Sequence, residues 1–221
     1  GTRLSELTGV VPKPMVQIGG LPILVHIMDS YARHGVKNFY VLAGYKSNVI
    51  KDYFLNFKPH TGDFRIELKS GTVSSLSQNT TPRDWNISVI DTGLNTMTGG
   101  RIHAAQAALA GQEDFYLTYG DGLSDIDFTK EANFHLSHGK VATVAGVNPP
   151  SRFGAMKLEN DSVLAFSEKP EQNDTFINGG FFILNKKIFD YVTPDQCVFE
   201  NEPLEQLAKR DQLRAFKHFG F

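Results

Sequence analysis

The sequence predicts an α/β fold with a mostly parallel sheet. Strand-like and helix-like segments alternate along most of the chain, the rhythm of strand–helix–strand units. Several strands, such as VATVAGV and KNFYVLAG, read as short continuous apolar runs, the pattern of strands covered on both faces. Two of the predicted strands, NISVID and DFYLTY, run straight into the glycine-containing turns DTG and YGDG. In such folds ligands bind at the carboxyl ends of the strands.

Taken in order, LPILVHIMDSYARHG is a helix, with Pro22 in its first turn, Ile23, Ile27, Met28 and Tyr31 on one face and Gly35 at its end. KNFYVLAG is a buried strand. SNVIKDYFLNF is a second helix, with Ser47 as N-cap and Val49, Ile50, Tyr53, Phe54 and Phe57 at helical spacing. FRIELK and NISVID are strands, and GGRIHAAQAALAG is an alanine-rich helix. DFYLTY is a strand, DFTKEANFHLSHG a helix and VATVAGV a buried strand. AMKLE and VLAFSEK form a hairpin about NDS. FINGGFFILN is a strand, KKIFDYV and PLEQLAKRD are helical, and LRAFKHF closes the chain. The polar patch SGTVSSLSQNTTPRD, residues 70–84, reads as a mobile surface loop or as a segment ordered by another subunit.

Composition excludes several classes. The chain has 221 residues, 41 % hydrophobic and 21 % charged, enough for a substantial core. A net charge of −2 without basic runs argues against nucleic acid. No stretch approaches the roughly 20 apolar residues of a membrane helix, and no signal pattern opens the chain. Cys197 is the only cysteine, which fits a reducing, cytoplasmic setting. Four sequons, at Asn79, Asn86, Asn160 and Asn173, read as turn and strand residues. His135 and His138 share a helix face but lack the H-E-x-x-H pattern of a metal site.

Six motifs carry candidate chemistry. Gly1, Thr2 and Arg3 offer backbone N–H groups, a hydroxyl and a guanidinium together, suited to phosphate oxygens; the plain alternative is a surface turn. Lys13 lies between Pro12 and Pro14, both with fixed φ, so the segment should be stiff, extended at Lys13 and able to aim an ammonium. Asp121, in YGDG, places a carboxylate at a strand end, an oxygen ligand for Mg²⁺ or a simple turn aspartate. Asp125 and Asp127 read as helix N-terminal acids. In DTGLNTMTGGR, Gly99 and Gly100 open a helix whose N–H groups can face an anion or a base edge, though GxGxxG is absent. Glu168 and Lys169 of SEKP and Asn178 of INGGFF suit sugar hydroxyls and phosphate.

In this order the motifs resemble the sugar-1-phosphate nucleotidylyltransferases. GTRLSELTGVVPKPM matches the latter part of that family's opening signature, and YGDG, FGA, EKP and INGGFF follow in the family's order. PKPMVQIGGLPILVHIM, GYKSNVIKDYF, DTGLNTMTGGR and INGGFFILN resemble its cytidylyl branch. The resemblance implies a Rossmann-like nucleotide-diphospho-sugar transferase fold, with a mostly parallel central sheet flanked by helices and a small β-hairpin sugar-binding part. It implies a single catalytic domain over 1–221. The family's first strand and Gly-Gly pair would precede Gly1, and a second metal-binding aspartate would follow Phe221.

It further implies a Mg²⁺-dependent reaction of CTP with glucose 1-phosphate that yields CDP-glucose and pyrophosphate for deoxysugar and surface-polysaccharide synthesis. No membrane or nucleic-acid partner is implied, and the chain would be a homo-oligomer. By motif position, Gly1, Thr2, Arg3, Thr92, Gly93, Thr98, Gly99, Gly100 and Arg101 would bind nucleotide, with Arg3, Lys13 and Asp121 catalytic and Asp121 on the metal. Gly154, Glu168, Lys169, Asn178 and Gly179 would bind the sugar phosphate. Two readings stay open beside it: the same reaction with another nucleotide or sugar, and a noncatalytic nucleotide-sugar-binding regulator.

Overall fold

Contacts divide the chain into two units in the computed structural model, which describes residues 11–57, 62–76, 83–148, 155–159, 162–167 and 176–220. The first unit runs to Gly111 and takes in Tyr191–Pro203; the second holds Gln112–Asp190 and Leu204–Phe221.

In the first unit a 3₁₀ turn, Lys13–Met15, leads into two short antiparallel strands, β1 (Gln17–Ile18) and β2 (Leu21–Pro22). Helix α1 (Ile23–Ala32) follows, burying Ile23, Ile27, Met28 and Tyr31 as the periodicity predicts, and Leu24 and Val25 beside them. Strands β3 (Asn38–Ala43) and β6 (Asn86–Asp91) pair in parallel, Ala43 opposite Asp91, so both carboxyl ends lie together. Helix α2 (Ser47–Leu55) follows β3. Met15, Leu24, Met28, Ala43 and Ile50 form one core cluster, flanked by Phe39, Val41, Tyr53, Phe54, Trp85 and Val89. Burying several large side chains, at about 1.5–3 kcal/mol each, is what holds so small a layer together. Arg83 closes its edge: it donates twice to the Asp29 carboxylate and lies over the Phe57 and Trp85 rings.

The 70–84 patch is not all loop. Its start forms β5 (Thr72–Ser75), which pairs antiparallel with β4 (Phe64–Glu67); residues 77–82 lie outside the described ones. Every residue of this ribbon is exposed, so neither strand shows the buried face that marks a strand in sequence. The alanine-rich helix is shorter than its composition suggests: α3 spans Thr98–Ala104 and gives way to turns. Asn86 opens β6 and donates its amide to Asn38, a strand role rather than a glycan site.

The second unit is built on a four-stranded sheet of order β12–β8–β11–β7, formed by β7 (Asp114–Thr118), β8 (Ala142–Val147), β11 (Ile177–Asn185) and β12 (Leu213–His218). β12 runs parallel to β8, while β11 runs antiparallel to both its neighbours. Helix α4 (Phe128–His138) packs on β8, β11 and β12. It buries Phe128, Glu131 and His135, one stripe at helical spacing. Asp127 caps it by accepting from the Lys130 N–H, and Gly139 ends it. Strands β9 (Ala155–Glu159) and β10 (Ser162–Ser167) form the expected hairpin. Helix α5 spans Glu202–Lys209.

Candidate active site

In the first unit the candidate groups collect at the carboxyl ends of β3 and β6. Thr92 continues β6 and is tied to β3 twice, its N–H and hydroxyl both donating to the Ala43 carbonyl at 2.8 and 2.9 Å. Arg101, one turn into α3, reaches back to this end: Nη1 donates to the Thr92 hydroxyl and to the Gly93 carbonyl at 3.1 Å. Beside them the Asp91 carboxylate accepts from Ser47 Oγ at 2.8 Å, Lys51 Nζ at 3.1 Å and the Gly93 N–H at 3.2 Å. The Ser47 and Lys51 donors, with that N–H, hold its carboxyl down to about 2, so it stays anionic at any physiological pH. Ser47 therefore does not cap α2. The cap position is Lys46, in the left-handed region at φ 53°, and Ser47 spends its hydroxyl on Asp91.

Two motif readings change in this unit. Lys13 is not extended: it opens the 3₁₀ turn, closed by the Met15 N–H on the Pro12 carbonyl at 2.8 Å. Pro14 is tolerated there because an early helical position needs no N–H. Pro12 and Met15 are buried and anchor the turn, leaving Lys13 exposed. The N–H groups of Gly99 and Gly100, read as facing an anion or a base, both donate to the Cys197 carbonyl, at 2.8 and 3.2 Å. A Cβ on Gly99 would meet that carbonyl at 2.9 Å, and one on Gly100 would meet the Asp195 backbone at 2.7 Å. Thr98 donates to Glu200 at 2.6 Å and accepts from the Phe199 N–H. These three residues thus seat the returning segment 195–200 against α3, and Cys197 is a packing thiol.

In the second unit the candidates sit at one end of the four-stranded sheet. Thr118 pairs with Phe181 and Ile177 with Val147, so the end of β7, the end of β8 and the start of β11 coincide. The YGDG turn follows β7, with Asp121 exposed between its glycines. Asn178 Oδ1 accepts the Gly180 N–H at 2.8 Å, shaping an irregularity where the register with β8 shifts. Gly180 has φ +80°, and a Cβ there would fall 2.6 Å from the Tyr119 ring. Only glycine meets both conditions, so the INGG bulge and the YGDG turn fit against one another. Gly179 is equally confined, by the Ala145 carbonyl and Val147. Asp125 pairs with His218 at 2.8 Å.

Among the described residues no three metal-ligating side chains gather. Asp121 nevertheless suits Mg²⁺, which takes one or two carboxylates and fills its shell with water and substrate phosphates. Gly1, Thr2, Arg3, Gly154, Glu168 and Lys169 lie outside the described residues. Sequence reasoning missed Gly44 and Lys51, read Ser47 only as a helix cap, and took Asp91 only as the start of the DTG turn. The one available signal was position: Gly44 directly follows an apolar strand, as the glycines of YGDG do.

The nucleotidyl transferase family model matches residues 1–205. The chain belongs to that family. Within this nucleotidyl transferase family it is 44 % identical, over its whole length and 85 % of the relative's, to the glucose-1-phosphate cytidylyltransferase of Salmonella typhi. It is 43 % identical, at the same coverage, to the probable glucose-1-phosphate cytidylyltransferase of Bacillus subtilis. Among solved structures HddC from Yersinia pseudotuberculosis superposes with a TM-score of 0.68 at 26 % identity, over all of this chain and 87 % of that one. The nucleotide-diphospho-sugar transferase fold and the cytidylyl resemblance read from the motifs are both borne out.

Proposed function

We propose that this nucleotidyl transferase joins CTP and α-D-glucose 1-phosphate into CDP-glucose, releasing pyrophosphate. The observation that carries the reading is the 44 % identity across the entire chain to a glucose-1-phosphate cytidylyltransferase. The chain is an enzyme. The alternative of a noncatalytic regulator has no observation in its favour.

The reaction needs no protein nucleophile. A phosphate oxygen of glucose 1-phosphate attacks the α-phosphorus of CTP; the bond from that phosphorus to the bridging oxygen breaks, and pyrophosphate leaves opposite the attack. What opposes this is the approach of two polyanions, so catalysis falls to positioning and to preorganised positive charge. Lys13, on its anchored turn, neutralises the reacting phosphates together with Arg3, Thr2 and the Gly1 backbone. Arg101, Thr92 and Gly93 receive the nucleotide at the β3–β6 end. Thr98, Gly99 and Gly100 act indirectly, by seating α3 and with it Arg101. Asn178, Gly179, Gly154 and Glu168 take the sugar, and Lys169 its phosphate.

Asp121 holds Mg²⁺, which when bound withdraws charge from the phosphates. A role for the chain as one catalytic domain of a cytoplasmic homo-oligomer, feeding deoxysugar and surface-polysaccharide synthesis, rests on the same kinship. The test is pyrophosphate release from the full-length protein with glucose 1-phosphate and each nucleoside triphosphate in turn. CTP should give the highest kcat/KM; preference for dTTP or UTP would overturn the cytidylyl assignment.

A further inference from the structure

We infer that Gly44 is a positioning residue for this reaction, the absence of its side chain being what lets Arg101 lie where the nucleotide is bound. This rests on the reading of Arg101 as a nucleotide-binding group. Gly44 ends the apolar run of β3 and precedes the left-handed Lys46. The three atoms nearest to a Cβ built on Gly44 all belong to the Arg101 guanidinium; Cζ would be 2.7 Å away and both terminal nitrogens closer. Real Cβ atoms do not approach heavy atoms so closely, so any side chain at 44 makes the guanidinium shift from this position.

Gly44 does not have the positive φ that would itself demand glycine, so the requirement is for space and not for backbone freedom. The neighbouring hydrogen bonds set the geometry from both sides. The Gly44 carbonyl accepts the Ser47 N–H at 3.0 Å, fixing the turn into α2. Thr92, itself bound to Ala43, and the Gly93 carbonyl hold Nη1. Nε and Nη2 of Arg101 have no hydrogen-bond partner among the described residues. A guanidinium fixed through Nη1, with Nε and Nη2 bonded to no described residue, can meet a ligand offering two acceptors, such as a base edge or a phosphate. Because the protein holds it before the ligand arrives, less rotamer entropy is lost on binding.

The experiment is a cycle of Gly44→Ala, Arg101→Ala and the double variant in the full-length protein. Gly44→Ala should raise KM for the nucleotide about tenfold, the loss of one hydrogen bond to a charged group, while KM for the sugar phosphate stays within about twofold. In the Arg101→Ala background the same substitution should add nothing, because the clashing group is gone. Multiplying effects, or a Gly44→Ala enzyme with an unchanged nucleotide KM, would overturn the inference. Should Gly44→Ala melt early, the double variant must recover the melting point of Arg101→Ala; failure to recover it places the glycine's role elsewhere in the fold. The melting cycle needs no substrate, so it stands even if the wild-type protein turned over no nucleotide, an outcome that would reject the functional reading and leave the contact intact.

Discussion

The two ends of the four-stranded sheet are built to opposite plans. Where β7 ends and β11 begins, the chain passes through the glycine-containing YGDG and INGG segments, and Asp121 and Asn178 are exposed. At the other end a chain of buried and part-buried hydrogen bonds runs from α4 into the sheet. The Lys140 N–H donates to His138 Nδ1 at 3.0 Å, which makes His138 Nε2 the donor to Thr143 Oγ1 at 2.8 Å. Thr143 then donates to His135 Nδ1 at 2.8 Å, and His135 Nε2 donates to Asp114, which Asn185 also serves. In this order every ring nitrogen of the two histidines has a hydrogen-bond partner. Polar groups at one end therefore reach solvent, while those at the other are tied chiefly to one another. The difference explains why two histidines on one helix face, a pattern that invites thoughts of metal, serve instead to join α4 to the sheet.

If this contrast is right, substitutions at the two ends should separate activity from stability. Asp121→Asn should cut kcat/KM by about 10²–10³-fold, the usual loss when an electrostatic partner of the transition state is removed, with the melting midpoint nearly unchanged; steady-state kinetics beside calorimetry decides this.

The next largest effect lies beneath the same sheet. Glu131 is fully buried on α4 and neither carboxylate oxygen has a hydrogen-bond partner among the described residues; burial pushes its pKa from 4.5 to about 7. A raised carboxyl binds its proton more tightly in the folded state, so stability falls as pH rises from 4.5 to about 7 and is level above that. Glu131→Gln should gain up to about 3 kcal/mol at pH 8 and flatten this slope, as read from denaturant melts across pH. An unchanged slope would mean that the carboxylate finds a partner in solution.

Thr143→Val should cost about 2 kcal/mol, because it leaves both imidazoles short of a partner in a buried place, while kcat per folded molecule holds. Burial, then His135, Arg214 and Lys140, pushes His138 down from 6.5. The unfolded chain thus takes that proton first, and stability is lost as pH falls below about 6.5. This runs opposite to Glu131, so wild-type melts mix two slopes that Glu131→Gln separates. Thr143→Val should move activity no more than Asp121→Asn moves stability; if either crosses over, the division between the ends fails.

Much of this was legible in the chain itself, because it depends on near neighbours. The faces of α1 and α2, the buried strand β8, the hairpin about NDS and the Asp127 cap all follow from periodicity or from groups a few residues apart, whereas β3, read as buried, has only Ala43 buried. DTG, YGDG and INGG could be placed at strand ends for the same reason. What was misread depends on distant partners. Gly99 and Gly100 looked like anion-binding N–H groups until the segment at Cys197 was found to use them, and Thr98 meets Glu200 across 102 residues. Ser47 looked like a cap until Asp91, 44 residues on, claimed its hydroxyl. Lys13 looked extended because the proline rule concerns one residue pair and does not see Met15 buried behind it.

By itself, then, the sequence determined the alternation of strands and helices, the family, and the strand ends at which chemistry would be sought, since periodicity and turn residues act over a few positions. The tertiary structure alone decided which donors remain available there. A backbone N–H or a guanidinium is a ligand group only if no other part of the protein has already taken it. For Arg101 that is settled by the room Gly44 leaves for its guanidinium and by the hydroxyl of Thr92.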